Sequence, residues 1–173
     1  MNNYFTTKKI SLLALLTALM VVGRMAFQII PNVQPMTAIL LIVVFEWSFA
    51  DASIVAILSL LISNLFLGMG PWTLGQVVAF FVILLGAQVI KKISNMPLIH
   101  LFYVIIAGFL YGFVISLVTY KMFGITAFWP YYLQGISFDA LHAFGTLGFY
   151  VVLSPTFNYL FQKNKYIREL THN

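Results

Sequence analysis

Long apolar runs separated by brief polar clusters organise the whole chain. The first run covers residues 9–30 and is closed by Pro31, which cannot continue a helical hydrogen-bond ladder. A polar loop of Asn32, Val33, Gln34 and Pro35 follows, then apolar stretches over residues 36–49 and 52–67, with Glu46 and Asp51 marking the turn between them. Two glycines and a proline in Gly68-Met-Gly-Pro-Trp-Thr73 predict a tight loop. Further runs occupy residues 74–90 and 98–120, separated by a loop from Lys91 and Lys92 to Pro97. A connector over residues 121–132, carrying Trp129 and Pro130, precedes the last run at 133–161 and a basic tail with Lys163, Lys165 and Arg168. The pattern predicts an all-α integral membrane protein, one domain of six transmembrane helices.

Composition supports that class. Of 173 residues, 62% are hydrophobic and only 8% charged, with a mean hydropathy of +0.99, so a water-soluble globule could not hide the apolar surface. A span takes about 20 residues, which leaves room for about six and for no separate soluble domain. The absence of cysteine excludes disulfides, a thiolate nucleophile and Cys-based metal sites.

The net charge of +5 is not a nucleic-acid signature, because the cations sit in small groups beside apolar runs. Lys8 and Lys9 before an apolar stretch also resemble a signal peptide, but no small-residue cleavage site follows. With a cytoplasmic N terminus, seven cations fall inside (Lys8, Lys9, Lys91, Lys92, Lys163, Lys165, Arg168) and two outside (Arg24, Lys121), a positive-inside bias that also predicts a cytoplasmic C terminus. The outward loops then hold most of the Trp, Pro and amide groups, and a ligand is expected there.

No Gly-rich loop ends in Gly-Lys-Ser/Thr, no His-Glu-x-x-His occurs, and His100, His142 and His172 are scattered, so neither a nucleotide-phosphate cradle nor a metal site is expected. The informative residues are polar groups inside hydrocarbon, where an unpaired charge costs at least about 2.5–3.5 kcal/mol. Arg24 lies near the outer end of the first span. Asp139 and His142, three apart, share a face of the sixth. Arg24 snorkels outward or pairs with Asp139 as a structural bridge in one reading and lines or supports a polar outward cavity in the other, and the two are compatible. Asn64, Trp72 and Gln76 bracket the third loop, and Asn32, Gln34 and Thr37 the first. Amides and an indole suit a large, largely neutral ligand, and an interfacial aromatic belt is the structural alternative. Glu46 and Asp51 read as solvated caps or partner contacts. Asp139 and His142 also admit a membrane-embedded enzyme, and a structural subunit of another complex is a third class.

Ala14-x-x-x-Ala18, with Ser11 one turn earlier, puts small side chains on one face of the first span, where another helix can approach closely. Gly108-x-x-x-Gly112 does the same in the fifth. Packing within the chain and docking of a partner are both open for each.

The six short runs, the Ala14-x-x-x-Ala18 face, and the stretches Pro31-Asn-Val-Gln-Pro-Met-Thr37, Gly68-Met-Gly-Pro-Trp-Thr-Leu-Gly-Gln76 and Phe138-Asp-Ala-Leu-His142 resemble the substrate-binding S components of energy-coupling factor (ECF) vitamin transporters. The likeness spans essentially the whole chain and is nearest to members assigned to cobalamin and related corrinoids. It implies a non-enzymatic subunit without a cofactor of its own, in the bacterial cytoplasmic membrane. It further implies a small-residue face (Ala14, Ala18) docking on a membrane coupling subunit driven by two cytoplasmic ATPases, and substrate contacts at Asn32, Gln34, Trp72 and Gln76. A corrinoid's phosphate would be met by Arg24. Another vitamin or a nucleobase precursor would use similar groups.

Overall fold

A computed structural model describes residues 5–163, and it is helical throughout with no strand among them. Six α-helices run Thr7–Ala26 (α1), Met36–Glu46 (α2), Phe49–Leu67 (α3), Trp72–Ile93 (α4), Pro97–Met122 (α5) and Phe128–Asn158 (α6), followed by a π-helical turn at Tyr159–Lys163. Lys165, Arg168 and His172 lie outside the described residues.

Five of these helices are long and apolar enough to cross a membrane; α2 is not. At 11 residues it is about 16 Å long, roughly half a hydrocarbon core. The second apolar run, read over residues 36–49, thus forms a helix shorter than the stretch predicted. Every residue from Met36 to Phe45 is buried, and α2 touches all five other helices. A helix apolar on all sides belongs in an interior, and here the interior is the middle of the bundle. The last turn of α2 would leave carbonyls without donors. Lys91 reaches across from α4 to give its ammonium hydrogens to the carbonyls of Val44 (2.8 Å) and Trp47 (3.1 Å).

The boundaries shift for identifiable reasons. Phe49 belongs to α3, because Ser48 caps that helix by accepting from the Asp51 amide (3.3 Å). Asp51 therefore lies in the first turn of α3. It is fully buried and paired with Lys9 (3.1 Å), so the expected solvated cap is corrected to an internal ion pair. Helix α1 ends at Ala26 rather than residue 30 and gives way to turns. Helix α4 starts at Trp72 behind Pro71. Helix α6 starts at Phe128, which draws Trp129 and Pro130 out of the predicted connector and into the first turn, where a missing proline N–H costs nothing.

The two glycine-type motifs behave oppositely. Gly108 meets the backbone of Ala143 and Gly112 meets the Asp139 carboxylate, so this pair seats α5 on α6 within the chain. Ser11, Ala14 and Ala18 are exposed on α1, whose opposite face buries Leu13, Leu16, Thr17 and Met20. Internal packing is thus excluded for the α1 motif.

Candidate functional site

Side-chain contacts sort the loops into two ends. Lys9 with Asp51, and Lys91 with the Trp47 carbonyl, gather the start of α1, the α2–α3 turn and the end of α4 at one end. Arg24, the α1–α2 loop, the α3–α4 loop and the first half of α6 gather at the other. Nearly all the predicted site residues lie at this second end.

Arg24 is the centre of a relay there. Its Nη1 donates to Ser63 Oγ (2.6 Å) and Asn64 Oδ1 (3.0 Å). Ser63 passes its own hydrogen to the Leu60 carbonyl (3.3 Å), which leaves a lone pair facing the guanidinium. Asn64 is 1% exposed, and its Nδ2 donates to Thr73 Oγ1 (3.0 Å) and Gln76 Oε1 (2.7 Å). The Tyr111 hydroxyl lies next, beside Gln76. Each amide has its oxygen toward a donor and its nitrogen toward an acceptor, so the relay runs in one sense from Arg24 inward. The bridge between Arg24 and Asp139 is corrected: Arg24 is held by the neutral groups of Ser63 and Asn64.

His142 anchors a second set of contacts. It is 1% exposed, stacks on Tyr111 (centroids 4.8 Å apart), and places Nε2 3.0 Å from Thr37 Oγ1 and Nδ1 3.0 Å from the Asn32 carbonyl. Asn32 adopts a left-handed conformation (φ 59°), which asparagine tolerates better than most residues, and its Nδ2 donates to the Phe138 carbonyl (3.2 Å). The α1–α2 loop is thereby clasped to α6, with Val33 against Gly145. Asp139 is buried against Gly112, and its Oδ2 has no hydrogen-bond partner among the described residues. Both nitrogens of His142 are thus occupied by Thr37 and Asn32, and neither is bonded to Asp139.

Arg24, Asn32 and Gln34, together with Gln28, Phe27 and Ile30, line a cavity of about 180 Å³ at this end. Trp72 does not line it. It is 48% exposed and folds over Gly70, while Gln76 reaches the cavity only through Asn64. Ser63, Thr73 and Tyr111 were missed as site residues. The adjacency of Ser63 to Asn64, and of Tyr111 to Gly112, was the signal available. A larger cavity, about 610 Å³, lies at the opposite end between Glu46, His100, Tyr150 and Ser154, and an apolar groove of about 220 Å³ runs between α3 and α4. No group of three metal-ligating side chains occurs among the described residues.

No family model matches the chain, and neither does any curated protein or solved structure. Fold and site together define a class: an all-helical membrane protein with a directional polar relay buried at one end of its bundle.

Proposed function

We propose that this chain is the substrate-capturing S component of an ECF-type vitamin importer, taking cobalamin or a related corrinoid from outside the bacterial cytoplasmic membrane. The observation that carries the reading is the relay from Arg24 through Asn64 to Gln76, a costly set of buried polar groups ending at an open cavity in an otherwise apolar bundle. In this reading both termini are cytoplasmic and the relay end is outermost, as the cation bias favours. The cavity admits one polar end of a ligand, not a corrinoid ring. The ring would rest above it on exposed Trp72, Met69 and Ile30.

Titration of the purified chain against a vitamin panel including cobalamin and cobinamide tests the reading. The wild type should bind a corrinoid. Trp72→Ala and Gln76→Ala should each weaken binding about fivefold to a hundredfold through lost apolar area or a stranded polar group, with Trp47→Ala at the opposite end unchanged. A wild type that ignores corrinoids but binds another vitamin moves the substrate and keeps the class.

The partner arrangement rests on α1. Ala14 and Ala18 lie open on α1, where small side chains let another helix approach closely. Docking there on a coupling subunit driven by two ATPases predicts that Ala14→Leu or Ala18→Leu keeps substrate binding intact while lowering uptake by the assembled complex. Normal uptake by both variants would remove this face from the interface.

A further inference from the structure

We infer that the outer cavity is an oxyanion site, so that the captured substrate presents a phosphate or carboxylate to Arg24; the inference rests on this end being the substrate-capturing one. Nη1 is committed to Ser63 and Asn64, whereas Nε and Nη2 meet no hydrogen-bond acceptor among the described residues. Those remaining donors form the fork that suits a two-oxygen anion. Among the described residues, Arg24 is also the sole charged one lining the cavity, whose other polar side chains are the amides of Gln28, Asn32 and Gln34.

An arginine with no carboxylate beside it, partly buried in a membrane bundle, is a standing electrostatic cost that an arriving anion relieves. The relay makes the site a built one. Asn64 and Ser63 are buried, Asn64 is fixed in turn by Thr73 and Gln76, and the guanidinium is therefore oriented before any ligand arrives. The cavity volume, about 180 Å³, matches an anionic group with a short stem. Thr73 and Ser63 become positioning residues for the arginine.

The test uses the full chain in detergent, with cobalamin, whose phosphodiester carries a negative charge, and cobinamide, which lacks that group. Arg24→Gln should weaken cobalamin binding about ten- to a hundredfold, the range for a lost charge-assisted hydrogen-bonded pair, and weaken cobinamide binding much less. Arg24→Lys, which keeps the charge and loses the fork, should fall between. In the wild type, orthophosphate should compete with cobalamin and not with cobinamide, an arm that needs no variant to fold. Equal cobalamin affinity in wild type and Arg24→Gln, or no competition by phosphate, overturns the inference while the corrinoid reading stands. If neither corrinoid binds, thermal stabilisation by orthophosphate decides: stabilisation of the wild type and not of Arg24→Gln keeps the oxyanion site and sinks the corrinoid, and no difference sinks both. Phospholipid retained by the wild type in native mass spectrometry and lost from Arg24→Gln would assign the arginine to a lipid phosphate and overturn the substrate assignment.

Discussion

Gly108→Val is expected to abolish the folded, monodisperse protein in detergent, and Gly112→Ala to lower its thermal stability markedly. At Gly108 an added Cβ meets the backbone nitrogen and Cα of Ala143, atoms that move only if α5 and α6 separate. At Gly112 it meets the Asp139 carboxylate, which is already buried. Overpacking of this kind costs about 1–3 kcal/mol where side chains can adjust, and more where a backbone blocks the way. Lipid cannot compensate, since helix association in a bilayer depends on close packing and not on escape from water.

The function is expected to suffer with the fold. Asp139 and His142 sit on the turns of α6 that these glycines admit, and His142 must stay beside Tyr111 on α5 to clasp Asn32. Gly135→Ala and Gly148→Ala, also in α6, are the controls. A Cβ at either meets nothing within 4 Å, and replacing a helical glycine should stabilise by about 0.4–1 kcal/mol. Thermal unfolding followed by size-exclusion chromatography reads the series. Wild-type stability in Gly108→Val would show that the α5–α6 contact is looser than described.

The apolar pattern revealed the number of helices and the approximate place of each, because long apolar runs between proline, glycine and lysine breaks carry a strong signal. It could not place α2 in the middle of the bundle. Met-Thr-Ala-Ile-Leu-Leu-Ile-Val-Val-Phe-Glu is apolar on every face, and such a helix looks the same whether lipid or protein surrounds it. The start of α6 was misplaced because Trp-Pro is a loop signal in general, yet proline is tolerated in a first helical turn.

The candidate site was legible as a collection and not as an arrangement. Polar residues in apolar runs stand out, which is how Arg24, Asn64, His142 and Asp139 were found. Charge alone pairs Arg24 with Asp139. The actual partners, Ser63 and Asn64, are neutral and follow from the packing of α1 on α3, which no local pattern encodes. Thr37 and the Asn32 carbonyl are both bonded to His142, so the three shape the loop over the site, and the outward guanidinium is left to meet a ligand.

Helix α1 is thereby held to α3 by polar contacts at both ends, Arg24 with Ser63 and Asn64 at one and Lys9 with Asp51 at the other. The second strap is the costlier one to break from one side, because both of its charges are almost fully enclosed, at 8% and 0% side-chain exposure, and the Lys9 ammonium also stands 5.6 Å from the centre of the Trp47 ring. Lys9→Met should cost about 3–5 kcal/mol, since it deprives a buried carboxylate of its ion partner, and Asp51→Asn should cost a similar amount by stranding the ammonium. The double variant removes both charges together. It should therefore be more stable than Lys9→Met alone, with a coupling of a few kcal/mol in a double-mutant cycle. Thermal unfolding of the four proteins measures this. Strictly additive losses would mean that the pair contributes nothing as a pair, and that packing alone holds α1 in place. If the coupling is present, Lys9→Met should also loosen the end of α1 that carries Ser11 and Ala14, and so reduce uptake by the assembled complex more than it reduces substrate binding at the distant outer cavity.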